Sequence, residues 1–433
     1  MKIAVLKERR PHETRVAASP ETVSKYVGMG LEVVVESGAG ETSSFTDEAY
    51  KKAGATIAKD AKSAAGGADV VIKIQRPMTG GEGQDELSTL SSGQVLVSLM
   101  NALNEPEFAA EMAKAGITGF ALELIPRITR AQSMDVLSSQ SNLAGYRAVL
   151  DGAAAFGRAF PMMMTAAGTI PPARVMVMGA GVAGLQAIAT ARRLGAVVSA
   201  TDVRPAAKEQ VESLGATFVA VEDEEFKEAE TAGGYAKEMS DAYKKKQAEL
   251  IAETIKKQDM VITTALIPGR PAPKLISAEM VKTMKPGAVI VDLAVEQGGN
   301  CELSEFDKVV SKHGVTIVGH ANVPGRLAES ASNLFARNIM SFMGLLVDQE
   351  TKGLKIDLED EIIKGTLVSK DGKVVHPSVP AASGAAPKGG EKPESRTAKA
   401  TGKKPAARKP AAKSSKRAAP KRKSSRASKA KGE

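Results

Sequence analysis

The stretch Val175-Met-Val-Met-Gly179-Ala-Gly181-Val-Ala-Gly184-Leu-Gln-Ala-Ile-Ala-Thr-Ala-Arg-Arg-Leu-Gly195, followed by Val197-Val-Ser-Ala-Thr-Asp202, decides the fold. Residues 175–178 read as an apolar strand running straight into Gly179-x-Gly181-x-x-Gly184, and residues 185–194 carry a helical apolar pattern that stops at Gly195. The first glycine permits a tight turn, the second lets the backbone approach a pyrophosphate, and the third lets the helix pack closely on the strand. A pyrophosphate bound there sits at the positive amino end of the helix. The second β-branched run ends at Asp202, where a carboxylate accepts hydrogen bonds from the adenosine ribose and repels a 2′-phosphate, favouring NAD over NADP. Arg204, two residues on, argues the other way, because an arginine serves a 2′-phosphate.

A chain of 433 residues has room for two or three domains. Its net charge of +9 is concentrated at one end: from Lys388 onward 17 Lys or Arg face 3 Glu, a local +14 that leaves −5 on residues 1–387. The single cysteine, Cys301, excludes an internal disulfide framework and reads as a small apolar residue. His12, His313, His320 and His376 lack ligand spacing, so no metal site is expected. Residues 1–8 read as a strand rather than a signal peptide, and no run of 18 apolar residues occurs, which gives a cytoplasmic expectation.

Residues 1–125 alternate short β-branched runs with helical patterns but carry no phosphate-binding glycines, the rhythm of a parallel sheet covered by helices. Few breakers interrupt residues 138–164, which predict one long helix, with Met162-Met-Met164 as packing residues on it. Residues 326–349 predict a second long helix returning to the first domain. The fold expected is α/β: two Rossmann-like domains with parallel sheets, joined by two long helices around a cleft. The domains are 1–135 (completed by 326–377) and 136–325, with a disordered basic tail over 378–433. An acidic, Gly-Gly-containing segment within 221–255 reads either as a lid or as a solvated loop.

The run Arg127-Ile-Thr-Arg-Ala-Gln132-Ser-Met-Asp135-Val-Leu-Ser138 closely resembles a loop of the NAD(H)-binding alpha component of proton-translocating nicotinamide nucleotide transhydrogenases. Gly233-Gly-Tyr235-Ala-Lys-Glu-Met-Ser is similar to that family's mobile loop, and Asp292-Leu-Ala-Val-Glu-Gln-Gly-Gly occurs across its wider relatives. The resemblance covers roughly residues 1–377. It implies a homodimer that binds NAD(H). The partners implied are a second, membrane-spanning alpha subunit and a beta subunit that carries NADP(H), so that this chain lies peripheral to the inner membrane. It implies direct hydride transfer coupled to proton translocation, with Arg127 on the NAD carboxamide, Asp135 pairing with Arg127, Gln132 bridging toward the NADP(H) ribose, and Ser138 on the carboxamide. The nucleotide contacts implied are Gly179, Gly181, Val182, Gly184, Asp202, Val203, Arg204, Gly234, Tyr235, Gln247, Ala265 and Leu266.

Alanine dehydrogenases share the opening pattern Lys7-Glu-x-x-x-x-Glu-x-Arg15-Val-Ala. Oxidative deamination needs groups that grip a carboxylate and move protons, in that family an arginine, a lysine and a histidine. Arg15 stands in the arginine position, or is an inherited structural residue. Gln75 and Asn101 replace the lysine and histidine, and neither side chain performs acid–base catalysis. Hydride transfer between two nicotinamides needs no such group, because the cofactors supply the chemistry. The competing readings are an amino-acid dehydrogenase and a non-catalytic NAD sensor with a nucleic-acid-binding tail. The tail resembles those of linker histones; its charge suits nucleic acid or an anionic membrane surface, and equally a solvated linker.

Overall fold

The structure, a computed structural model, describes residues 1–227, 240–267 and 269–380. β-branched runs and capped helices alternate from the start: β1 (Lys2–Val5), α1 (Pro20–Gly28), β2 (Glu32–Glu36), α2 (Asp47–Lys52), β3 (Thr56–Ala58), α3 (Ala61–Ala65), β4 (Val70–Gln75), β5 (Val95–Leu99), α4 (Pro106–Lys114) and β6 (Thr118–Ala121). Helix α5 (Val136–Ala155) and the hairpin β7 (Met163–Thr165) and β8 (Gly168–Ile170) follow. Next come β9 (Arg174–Met178), α6 (Val182–Arg193), β10 (Val197–Thr201), α7 (Ala207–Ser213), β11 (Thr217–Phe218), α8 (Glu224–Lys227), α9 (Asp241–Ile255) and β12 (Met260–Thr263). The remaining elements are α10 (Ala278–Thr283), β13 (Val289–Asp292), β14 (Lys308–Lys312), β15 (Val315–Gly319), α11 (Ala328–Leu346), α12 (Glu361–Thr366), β16 (Leu367–Lys370) and β17 (Lys373–Val374).

Among the described residues these strands form an eight-stranded sheet, β17-β16-β6-β5-β4-β1-β2-β3, and a seven-stranded sheet, β11-β10-β9-β12-β13-β15-β14. Each contains six parallel strands in one order, third-second-first-fourth-fifth-sixth, the doubly wound Rossmann arrangement. Helices cover both faces, so the central strands are apolar throughout: Ile3, Ala4 and Val5 of β1 and Val175, Met176 and Val177 of β9 are fully buried. The sheets are not wholly parallel as expected. β14 lies antiparallel to β15, and β16 antiparallel to β6, each at an edge that a tight hairpin or returning helix can reach.

Helices α5 and α11 tie the two sheets. Gln140 and Ser139 of α5 bond Ala331 O and Asn338 of α11, while Phe335, Ile339 and Phe342 of α11 sink into the core of the first sheet. On its other side α5 meets α6 so closely that a Cβ on Gly145 would lie 2.0 Å from Ala183 O. The carboxyl ends of the strands face each other there: the loop after β1 sends Thr14 Oγ1 to Gly325 O (2.5 Å), and its His12 carbonyl accepts from Asn322 Nδ2 (2.9 Å).

The helix expected over 138–164 ends at Ala155. Phe156 turns extended, and it and Phe160 bury their rings edge to face, 6.3 Å apart, in the core of the second sheet. Pro161, which offers no N–H to a helix, lies so close to Gly195 that a Cβ there would meet it at 2.7 Å. Met162, Met163 and Met164 therefore emerge on the β7–β8 hairpin, 59%, 40% and 78% exposed, and are not helix packing residues.

Candidate functional site

The second sheet reverses its strand order between β9 and β12, and the Gly179 turn sits at that crevice. Gly179 has φ +101°, and a Cβ on it would lie 2.6 Å from Thr264 Oγ1. At Gly184 a Cβ would lie 1.8 Å from Gly179 O, so only glycine lets α6 close on the turn. Gly181 is the opposite case: an added Cβ meets nothing within 4 Å, because the backbone there borders open space. Gly181 also begins α6 without any side-chain cap, leaving the first helical amides to an external acceptor. A bare amino end, a close-packed turn and open space beside the second glycine together fit a pyrophosphate.

The other expected contacts lie along the same edge. Val182, Val203 and Leu266, at the ends of neighbouring strands β9, β10 and β12, are 40%, 60% and 49% exposed, unusual for large apolar side chains. Asp202 closes on its own surroundings: Oδ2 accepts from Ala180 N (2.7 Å), and Arg204 donates Nε to Oδ1 (2.9 Å) and Nη2 to Oδ2 (3.0 Å). Gln247 is a brace, donating to Thr201 Oγ1 (3.1 Å) and accepting from Val221 N (2.8 Å). Ala265 is clamped by a residue that sequence reasoning missed. Buried Asn300 accepts from Ala265 N (3.0 Å) and donates to Ala265 O and Pro273 O (2.8 Å each). Its signal is its place directly after the Gly298-Gly299 pair, at the end of a run that carries the family resemblance.

Residues 127–135 form the approach to α5. Arg130 fastens this loop to the cap of α12 through Asp360 (2.7 Å), and Asn338 Nδ2 donates to Ser133 O. Arg127 and Gln132 are left exposed. The expected Asp135–Arg127 pair is not formed among the described residues. Asp135 instead caps α5, accepting from Ser138 N (2.9 Å) and Ser138 Oγ (2.5 Å), because a helix amino end attracts a carboxylate more closely than an exposed guanidinium does. The Ser138 hydroxyl is thereby committed to Asp135. Gly234 and Tyr235 lie outside the described residues.

At the matching crevice of the first sheet, between β1 and β4, charged side chains fill the space. Arg15 grips Glu13 through Nε (2.8 Å) and Nη2 (2.7 Å) and donates Nη1 to Gln140 (2.9 Å), while Gln75 also donates to Glu13. Burial pushes the Glu13 carboxyl up, but Arg15 and these hydrogen bonds prevail and hold it at about 2. Lys73, fully buried, bridges Glu86 (2.9 Å) and Glu8 (3.4 Å), and Arg9 pairs with Glu36. Burial raises Glu8 to about 7 despite Lys73, and neighbouring Glu13 and Glu86 add to the rise. Arg15 is thus a committed structural cation. Asn101, where a histidine would be needed for proton transfer, turns back to Glu105 (2.9 Å).

Comparison with known proteins follows the same division of the chain. Residues 4–144 match the family model "Alanine dehydrogenase/PNT, N-terminal domain", and residues 148–377 match "Alanine dehydrogenase/PNT, C-terminal domain". The first of the two alpha-subunit chains of NAD(P) transhydrogenase from Rhodospirillum rubrum is 62% identical over 379 residues, 88% of this chain and 99% of that protein. A solved transhydrogenase structure from Sinorhizobium meliloti superposes with TM-score 0.78 at 55% identity, covering 87% of this chain and all of the other. Alanine dehydrogenase of Methanococcus maripaludis is 31% identical, over 88% of this chain and 96% of that protein.

Proposed function

This chain belongs to the alanine dehydrogenase/PNT family as a transhydrogenase alpha subunit, an oxidoreductase, and on that premise we propose that it binds NAD(H) for direct hydride exchange with NADP(H) on a separate subunit. The observation that carries the reading is the uncapped amino end of α6 beside the open backbone of Gly181. Bound dinucleotides supply the hydride chemistry, and this chain supplies position. α6 takes the pyrophosphate, Asp202 the adenosine ribose, and exposed Val182, Val203 and Leu266 give apolar contact along the same edge. Arg127 and Gln132, exposed on a loop anchored by Arg130, reach for the nicotinamide end and the incoming partner.

The first sheet supports a reaction without proton chemistry. Arg15 is already satisfied by Glu13 and Gln140, so it does not grip a substrate carboxylate, and Gln75 and Asn101 cannot shuttle protons. We assign the two sheets to two domains, 1–135 completed by 326–377 and 136–325. The Met-rich β7–β8 hairpin, exposed and apolar, is the surface we assign to a second copy in a homodimer. Among the described residues no helix is long and apolar enough to cross a membrane, so coupling to proton translocation would run through membrane-spanning partners. The tail beyond residue 380 lies outside the described residues; its charge supports a tether to an anionic surface.

The deciding experiment mixes the purified chain with NADH and then with an NADP(H)-binding beta subunit. NADH should bind to the chain alone, and hydride transfer should appear only on mixing. Gln132→Ala should slow transfer far more than it weakens NADH binding. Reduction of NAD by alanine with the chain alone would overturn the assignment.

A further inference from the structure

We propose that Arg204 and Asp202 form an exchangeable pair that sets dinucleotide selectivity, with Arg204 holding the ribose-binding positions of Asp202 until the adenosine ribose takes them. The inference rests on reading the Gly179 turn as a dinucleotide site.

An ionised carboxylate offers about four acceptor positions. At Asp202 four hydrogen bonds already arrive: Ala180 N (2.7 Å) and Arg204 Nη2 (3.0 Å) on Oδ2, Arg204 N (2.9 Å) and Arg204 Nε (2.9 Å) on Oδ1. Two come from backbone amides fixed by the turns after β9 and β10. The other two come from one side chain, which can leave by rotation alone. The Asp202 side chain is only 7% exposed, whereas that of Arg204 is 34% exposed, so the guanidinium covers the acid on the solvent side. A vicinal diol that donates twice to this carboxylate must take the two guanidinium positions.

The same geometry explains how a site with an arginine at its rim rejects a 2′-phosphate. While the carboxylate holds the fork, the donors of that fork are engaged and a phosphate dianion meets a buried negative charge. Without the carboxylate, the fork stands at the ribose edge with donors spaced for bidentate phosphate binding. Selectivity then belongs to the pair, and Arg204 favours whichever nucleotide Asp202 permits.

The test titrates NADH and NADPH into the full chain as wild type, Asp202→Asn, Arg204→Ala and the double variant, read by calorimetry, with thermal unfolding of each unliganded protein recorded alongside. Asparagine keeps an oxygen for the Ala180 amide, which preserves the turn. Asp202→Asn should weaken NADH binding by about tenfold and strengthen NADPH binding by about tenfold or more, and adding Arg204→Ala should erase the NADPH gain. Should the Asn variant unfold early, Asp202→Ser is read by the same criteria. Equal NADPH binding with and without Arg204, in proteins that unfold like wild type, overturns the proposal while leaving the dinucleotide site standing. A wild-type chain that binds neither nucleotide overturns both.

Discussion

Both sheets reverse their strand order at the same point, where β1 lies beside β4 and β9 beside β12, but the two crevices are finished in opposite ways. In the first, the chain leaves β1 through a long loop and reaches α1 only after Ser19, whose side chain caps that helix. Glu8, Glu13, Arg15 and Lys73 occupy the space and satisfy one another. In the second, three residues separate β9 from α6, all small, and the helix starts uncapped. Strand order provides a crevice; the side chains after the first strand decide whether it stays open to a ligand or becomes part of the core.

The severest way to break the contrast is Gly184→Val. With a Cβ 1.8 Å from Gly179 O the turn cannot persist, so denaturant unfolding should show a loss of about 4 kcal/mol or more, with NADH binding abolished. Arg15→Ala attacks the filled crevice instead. It leaves Glu13 buried and unpaired, a loss of about 3–5 kcal/mol at neutral pH, while NADH affinity of the folded fraction stays at the wild-type level. Because Glu13 is held at about 2, below its ordinary 4.5, the wild-type pair contributes above that ordinary value and fades as pH falls toward 2. The gap between variant and wild type should narrow over that acid range.

Glu8→Gln should show the opposite slope. The folded carboxyl titrates near 7 instead of 4.5, so the fold holds a proton that the unfolded chain has released, and wild-type stability declines as pH rises through that window. Glutamine keeps an oxygen for Ile74 N and removes the charge. Chemical denaturation should find the variant more stable than wild type by roughly 1–3 kcal/mol at pH 8, with little difference at pH 4. The subtlest change is Gly181→Ala. The φ of −77° suits alanine and nothing crowds the added methyl, so unfolding should shift by less than about 0.5 kcal/mol while NADH binds about tenfold more weakly, ~1.4 kcal/mol. Unchanged affinity there would mean that the bare turn does not hold the nucleotide.

The β9–α6–β10 unit was legible from the sequence because every signal in it is local: glycine spacing, a strand on each side and an apolar helix between. The filled crevice was not. Lys73 meets Glu8 across 65 positions and Arg15 meets Gln140 across 125, and no period in the sequence announces such pairs. The overlong helix failed for a related reason, since Phe156 and Phe160 leave the helix for a core built by strands that come later in the chain. In the loop at 127–135 the residue types were readable, but the partner of Asp135 was set by the helix it begins rather than by the nearest opposite charge.

Helix α5 begins at Asp135 and, about ten residues or ~15 Å further on, lies against the carbonyl of Ala183 in the first turn of α6. One stiff rod therefore gauges the separation between the loop and the phosphate cradle. It can tilt, but it hardly stretches, so movement imposed on the loop by a docking neighbour would arrive at the cradle as a shift of the same rod. Any bulk added at Gly145 would jam that linkage without touching either end.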